Sequence, residues 1–386
     1  MTGLVSDSAE HQLIRESVAK IAGKFGSDYY LDLARSGGKP EQLWRELGAA
    51  GLLGAHIPEE FGGGGAGLSE LVVVIEELAA NGIPMLLPII SSAICACIIR
   101  AHSSPEQQSQ WLPGLASGSR RMAFGLTEPN SGSNSHNVAT TARRDGEGWL
   151  LSGTKYYISA ADEAEAILVV ARDAEMTADG RPRLSLFIVP TDSPGLVLQP
   201  LDTVLTSTDK QFTIFFDNVR VEGGALIGVA GQGLRQVFSG LNPERITAAA
   251  LSSGMGRYAI SKAQRYAKER QVWSVPIGAH QGISHPLAEA HIAVELARLA
   301  TYRSAALFDA GEEAGESANI AKFAAAEASL KALDQAIQVH GGNGLSKEYG
   351  LAELWFTARL MRTAPVSREM VLNFVAQTSL GLPRSY

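Results

Sequence analysis

The chain has 386 residues, of which 45% are apolar and 19% charged, enough for a sizeable core in two or three domains or one large multilayered subunit. Its net charge of −7 argues against nucleic acid or an anionic membrane as the main partner. The two cysteines, Cys95 and Cys97, sit one residue apart in an apolar run with no Cys/His cluster around them. That spacing suits neither an ordinary disulfide nor a zinc site, so they read as buried thiols, and no metal is expected. The start of the chain lacks the basic and apolar regions of a secretory signal. The most apolar stretch, 83–99, is interrupted by Pro84, Pro88, Ser91 and Ser92 and is short for a bilayer span. A soluble cytoplasmic protein without membrane insertion is expected.

Residues 9–35 and 40–53 carry apolar side chains at helical spacing, including Leu13, Val18, Ile21 and Phe25, then Leu43, Leu47 and Leu52. Further helices are predicted at 69–80, about 90–101 and 105–117. The pattern changes near residue 121. The runs 122–124, 149–153, 166–171, 184–189 and 212–216 are short, apolar or alternating, and separated by Gly, Pro, Asp and Asn, which are strand and turn signals. After Gly233 helices return: 246–268, 287–310, 317–339 and 366–379. The chain is therefore α+β, with an N-terminal α-helical domain over 1–120, a middle antiparallel β domain over 121–230 and a C-terminal helical bundle of four helices over 231–386.

Four motifs carry possible chemistry. The turn Gly125-Leu126-Thr127-Glu128-Pro129-Asn130-Ser131-Gly132-Ser133 follows the strand ending at Phe124. Its glycines permit close backbone approach, and Thr127 and Ser133 offer hydroxyls to a polar ligand. Lys155-Tyr156-Tyr157-Ile158-Ser159 could present alternate faces of a strand. Lys268-Glu269-Arg270-Gln271-Val272-Trp273 ends a helix with a cation favourable to the helix dipole. Gln338-Val339-His340-Gly341-Gly342-Asn343-Gly344 could be a helix cap and loop. By contrast, Gly62-Gly63-Gly64-Gly65-Ala66-Gly67 satisfies G-x-G-x-x-G but follows a proline-bearing loop rather than a strand. It reads as a flexible loop.

Taken together, in order and spacing, these stretches resemble the acyl-CoA dehydrogenase family over nearly the whole chain. The resemblance implies the α–β–α order, with the middle strands forming a β-barrel, and it implies FAD. Phe124, Leu126, Thr127 and Ser133 would then meet the flavin, with Ser133 also touching the thioester substrate. Tyr157 would pack near the isoalloxazine, with Ser159 offering a hydrogen bond. Arg270 would meet the FAD pyrophosphate across a subunit interface, where a guanidinium fork suits two phosphate oxygens. Trp273, His280 and Gln281 follow at the family's spacing, with Trp273-Ser274 in place of the usual Phe-Gly. Gln338, Gly341 and Gly342 would touch the adenine half of a neighbour's FAD, implying an obligate oligomer, a homotetramer. Ser367 and Glu369 fall where the family meets the cofactor. Asn134 replaces the usual aspartate, and Asn137 replaces a small residue.

The base departs from the commonest pattern. Removing a weakly acidic α-proton beside a thioester needs a carboxylate shielded from water, whose pKa burial raises. Counting from the Gly-Gly-Asn-Gly motif to the family's usual glutamate lands on Pro365, which cannot serve and also lacks the N–H that the family aims at the thioester oxygen. A nearby N–H such as that of Val366 could take over. The isovaleryl- and long-chain acyl-CoA dehydrogenase lineage keeps its base on an earlier helix before an arginine, and Glu244-Arg245 matches. Locally, Asn242-Pro243-Glu244 also reads as a helix start with cap, N1 proline and first-turn acid. By resemblance Glu244 is the catalytic base, and Asn242 and Arg245 help to hold substrate.

The implied activity is FAD-dependent α,β-dehydrogenation of an acyl-CoA in fatty acid and lipid metabolism, with electrons passed to an electron-transfer flavoprotein. Three alternatives stay open: a dehydrogenase of acyl-carrier-protein thioesters, a silent subunit of a heteromeric dehydrogenase, and a flavin monooxygenase on the same fold.

Overall fold

The computed structural model describes residues 4–173 and 183–384. The chain opens with α1 (Ala9–Ser36), where the Ser8 hydroxyl accepts the His11 amide at 3.1 Å. It closes on Gly37, whose φ of 72° favours glycine. α2 (Glu41–Ala49) and α3 (Leu68–Ala80) follow, then a π-helical segment, Pro88–Cys95, that runs directly into α4 (Ala96–His102). π-helical turns are uncommon and often mark functional sites. α5 (Pro105–Ser117) begins with a reciprocal cap between Ser104 and Gln107.

The helical layer is locked to the C-terminal helices through Glu76 of α3, which is fully buried. Arg15 donates to its carboxylate at 2.8 Å, Arg257 lies 3.4 Å away, and Arg298 and Tyr302 also donate to it. Burial pushes the Glu76 carboxyl up, but Arg257, Arg15 and Arg298 outweigh it and hold the group at about 2.

The middle sheet comprises β1 (Met122–Gly125), β2 (Thr141–Asp145), β3 (Gly148–Ser159), β4 (Ala166–Asp173), β5 (Leu184–Pro190), β6 (Leu196–Pro200), β7 (Gln211–Val221) and β8 (Leu226–Ile227). Its hydrogen-bonded order is β6-β7-β3-β2-β4-β5-β8, with β1 beside β4. Most pairings are antiparallel as expected, but β4 pairs in parallel with both β1 and β2. The long excursion through the β2–β3 hairpin lets the chain re-enter β4 in the direction of β1. Alternation along β4 then buries both faces. Ala166, Leu168 and Val170 pack on the helices, while Ile167, Val169 and Ala171 pack against Trp149, Phe187 and Phe212.

The C-terminal part consists of α6 (Gly233–Glu269), a small hairpin β9 (Gln271–Val272) and β10 (Val275–Pro276), α7 (Gln281–Asp309), α8 (Gly315–His340), α9 (Leu351–Met361) and α10 (Arg368–Thr378). The three long helices are found where expected. The helix expected at 366–379 is present as α10, and α9 is a further helix that the sequence reading did not include.

α6 differs most from expectation. Asn242-Pro243 does not start a helix; the helix begins ten residues before Pro243, at Gly233, and runs through the proline. Pro243 has no amide to give the Ser239 carbonyl, a local loss that tertiary packing overrides. A Cβ on Gly240 would lie 2.8 Å from Ile98 Cδ1, and one on Gly254 would lie 2.2 Å from the Glu76 carbonyl oxygen. Glycine at both points lets α6 approach the π-helical segment, α4 and α3 closely, and so fixes where Glu244 sits.

Candidate active site

The turn after β1 is anchored from below by a buried ion pair. Lys155 of β3, with no solvent exposure, donates to Glu128 Oε1 at 2.7 Å and to the Leu126 carbonyl at 3.1 Å. The Glu128 carboxylate also accepts the amides of Ala139 at 2.6 Å and Thr140 at 2.9 Å. The Tyr156 amide donates to the Thr127 carbonyl at 2.9 Å, joining the turn to β3. Burial lowers the Lys155 ammonium to about 8 against the pull of Glu128. Phe124 and Leu126 are half-buried on the core that also holds Leu241 of α6, whereas Ser133 is exposed.

One residue further along β3 the ladder to β7 is irregular between Lys155 and Ile158. Tyr157 sits in that bulge at φ 57° with 54% of its surface exposed. A bulky residue in the left-handed region is strained, and such strain gathers at functional sites. The bulge turns the ring outward instead of burying it on a sheet face. Ser159, two residues on, accepts from Gln211 Nε2 at 2.9 Å.

Glu244 projects from α6 towards the same region. It retains some solvent contact, yet it lies deep in the molecule, and its charge acts on the buried thiol of Cys95 in the π-helical segment. Cys95 Sγ in turn lies 3.6 Å from the Ala123 carbonyl of β1. Burial pushes the Glu244 carboxyl up to about 7, against the opposing charges of Arg245 and Lys322. Arg245 Nη1 donates to Asn242 Oδ1 at 2.9 Å, so Asn242 orients the arginine and caps nothing. From α8, the buried Lys322 ammonium donates to the Val366 carbonyl in the loop between α9 and α10.

The remaining predicted residues form a separate, exposed surface. Arg270 ends α6 and lines a groove of about 660 Å³ with Lys262, Arg265, Tyr266, His340, Asn343 and Tyr349, and with two acidic side chains, Glu269 and Glu348. His340 stacks on Tyr266 with ring centroids 4.2 Å apart, and Asn343 Nδ2 donates to Tyr266 at 3.2 Å and to Tyr349 at 3.3 Å. Trp273 stands at the tip of the β9–β10 hairpin, 92% exposed, at φ 56°. His280 and Gln281 open α7 and are exposed, as are Gln338, Gly341 and Gly342 at the end of α8. Nothing approaches within 4 Å of a Cβ built on Gly341 or Gly342. Ser367 is occupied as the cap of α10, accepting the Met370 amide at 3.3 Å, and Glu369 is exposed in that helix's first turn.

These features fit a flavin dinucleotide. An aromatic ring is held outward beside a polar turn, and a separate groove offers three basic side chains, packed rings and open glycines. Among the described residues there is no cluster of His, Cys, Asp or Glu that could hold a metal ion, and no helix is long and apolar enough to cross a membrane.

The fold runs in three successive segments, helical, sheet and helical. The family profiles for the acyl-CoA dehydrogenase N-terminal, middle and C-terminal domains match residues 8–119, 123–219 and 231–380. The chain is 53% identical to acyl-CoA dehydrogenase FadE12 of Mycobacterium tuberculosis over 98% of both chains. It is 33% identical to the probable acyl-CoA dehydrogenase YngJ of Bacillus subtilis over 96% of this chain and 98% of that one. Among solved structures, glutaryl-coenzyme A dehydrogenase in complex with glutaryl-CoA superposes with a TM-score of 0.93 at 29% identity, covering 99% of this chain and 98% of that one. Butyryl-CoA dehydrogenase from Megasphaera elsdenii gives 0.92 at 25% identity, covering 97% and 99%. The chain belongs to the acyl-CoA dehydrogenase family, whose cofactor is FAD.

Lys155 and Lys322 were not singled out from the sequence. Each acts on a partner tens of residues away, so no local pattern marks it. The one available signal was a lysine within a run otherwise apolar or small, as in Ile320-Ala321-Lys322-Phe323-Ala324.

Proposed function

We propose that this protein catalyses α,β-dehydrogenation of an acyl-CoA thioester, with Glu244 removing the Cα proton. The observation that carries this reading is a carboxyl raised to about 7 on α6, whose charge reaches the buried Cys95 thiol that lies against β1, in a chain whose residue 365 is proline. A base with that proton affinity is half-ionised at neutral pH, close to the optimum for general-base catalysis.

Bound FAD supplies the acceptor for the hydride that leaves Cβ. The protein's part is to hold the two reaction partners and exclude water. Tyr157 packs against the flavin ring, while Thr127 and Ser133 meet its polar edge. Arg245, aimed by Asn242, steadies the acyl thioester beside Glu244. Pro365 offers no N–H to the thioester oxygen. The neighbouring Val366 amide, which has no backbone acceptor among the described residues, takes that place. Arg270, Trp273, His280, Gln281, Gln338, Gly341 and Gly342 serve the FAD of a neighbouring subunit in a homotetramer. Electrons then pass to an electron-transfer flavoprotein in the cytoplasm.

Glu244→Gln preserves shape and removes the base. It is expected to abolish anaerobic bleaching of the flavin by acyl-CoAs while leaving FAD bound. Full bleaching in that variant would overturn the assignment of the base. A panel of straight, branched and dicarboxylic acyl-CoAs, with acyl-carrier-protein thioesters alongside, identifies the substrate class.

A further inference from the structure

The helices α6 and α8 lie side by side in constant register. A Cβ on Gly315 would lie 3.9 Å from Asn242 Nδ2, and fourteen residues along both helices a Cβ on Gly256 would lie 3.6 Å from Ser329 Cα. The helices are therefore parallel, and Lys322 comes level with Ala249. That is five residues past Glu244, or about 7.5 Å at the rise of an α-helix. Helical side chains lean towards the N-terminus, so the long stem of Lys322 runs back towards the level of Glu244. Lys322 is only 2% exposed, and its ammonium donates to the Val366 carbonyl.

We infer that Lys322 is a positioning residue for the reaction: its buried ammonium acts on the Glu244 carboxylate electrostatically while its N–H tethers the loop that carries Val366. This rests on Glu244 being the base. One side chain thereby couples the group that takes the α-proton to the loop that faces the thioester oxygen.

The surrounding charges support the assignment. Glu244 faces Arg245 on its own helix, Lys322 from α8 and the thiol of Cys95 from the π-helical segment. Lys322 faces Glu244 and Arg245 from α6, Glu327 on its own helix and Glu369 from α10. Glu327 is already engaged by Arg362 at 2.7 Å and Arg368 at 3.2 Å. Glu369 is exposed. Glu244 is thus the carboxylate with the strongest hold on Lys322. Without the ammonium, desolvation would act on Glu244 with only Arg245 to offset it.

The test is an infrared titration of the carboxyl stretch of Glu244 in the purified FAD-loaded enzyme, with the band identified by its loss in Glu244→Gln. Lys322→Met removes both the charge and the tether. Lys322→Gln removes the charge and keeps an N–H donor for Val366, which guards against a variant that fails to fold. Lys322→Arg keeps the charge. A unit charge on a packed neighbouring helix, about 8–10 Å away at an effective dielectric near 20, corresponds to roughly 1 to 1.5 pH units. The Glu244 titration is expected to move up by that amount in Lys322→Met and Lys322→Gln and to return close to the wild-type position in Lys322→Arg. With octanoyl-CoA or whichever acyl-CoA bleaches the flavin, the acid limb of the reduction rate should move by the same amount. A Glu244 band unmoved in folded, flavin-loaded Lys322→Gln would overturn the role of Lys322. A wild-type Glu244 band that titrates well below neutral, or a Glu244→Gln variant that still reduces flavin, would instead remove the base assignment.

Discussion

Lys155 Nζ and Glu128 Oε1 meet at 2.7 Å beneath the turn that follows β1, both buried, one from β3 and the other from the turn itself. Three further bonds converge on the pair, from Lys155 to the Leu126 carbonyl and to Glu128 from the amides of Ala139 and Thr140. The turn is therefore held in shape from the core side, leaving Thr127 and Ser133 free on the other.

Lys155→Met should destabilise the protein by about 3–5 kcal/mol, because it leaves the Glu128 carboxylate buried without its cation. The double change Lys155→Met with Glu128→Leu should recover part of that loss, since no charge is then left unpaired. Flavin occupancy should fall in both. Thermal melts and the ratio of flavin to protein absorbance measure the two effects separately. A single mutant with unchanged occupancy would show that the turn holds its shape without the pair.

Glu244 and stability are linked through pH. Its folded proton affinity is raised from an ordinary carboxyl to about 7. Such a group contributes stability that is fully present below the unfolded value near 4.5 and is lost as pH rises through about 7. Glu244→Gln, which cannot ionise, should therefore be more stable than the wild type at pH 8, by at most about 3 kcal/mol. At pH 4 the two should be closely matched. Chemical denaturation at both pH values decides this. Equal stability at pH 8 would mean that Glu244 ionises without strain.

Glu76 has the opposite sign. Arginines hold its folded carboxyl at about 2, so its contribution is present above the unfolded value near 4.5 and is lost as pH falls towards 2. Glu76→Gln should cost about 3–5 kcal/mol at pH 7, since Arg15, Arg257 and Arg298 lose their common partner. The deficit relative to wild type should shrink as the pH is lowered through that window. Melting temperatures between pH 5 and 3 follow it.

Much of the fold was legible because it rests on local signals. Leu13, Val18, Ile21 and Phe25 in α1 and Leu43 and Leu47 in α2 recur at helical spacing, and the runs that become β4 and β5 are apolar and bounded by turn residues. β6 escaped notice because it pairs only with β7, is largely exposed and ends in proline. Asn242-Pro243-Glu244 reads locally as a helix start, and tertiary packing overrides that signal for a related reason. Cap and N1 proline are strong signals when nothing else is packed nearby. Here Gly240 and Val237 are buried against α4 and the π-helical segment, which carries the helix through the proline. The candidates for the site, the turn after β1, Tyr157 and Glu244, stand out in the sequence by resemblance. The residues that hold them do not, since Lys155 reaches back to Glu128 and Lys322 reaches forward to Val366, and neither separation leaves a pattern in the sequence.

Trp273 offers a test of the outer surface. It occupies the first position of the β9–β10 turn at φ 56°, a left-handed conformation that glycine adopts without strain, and it is 92% exposed. Nothing within one subunit explains a strained and solvated tryptophan, whereas a neighbour's FAD would cover its ring. Trp273→Gly should change the stability of the flavin-free protein by no more than about 1 kcal/mol, because relief of strain is offset by glycine's greater freedom when unfolded. The same change should weaken flavin retention and loosen the assembly, as Arg270→Ala should from the neighbouring groove. Dialysis against buffer without FAD, followed by light scattering, reads both quantities. Full flavin retention in Trp273→Gly would separate the hairpin from the cofactor and leave the groove around Arg270 to account for binding alone.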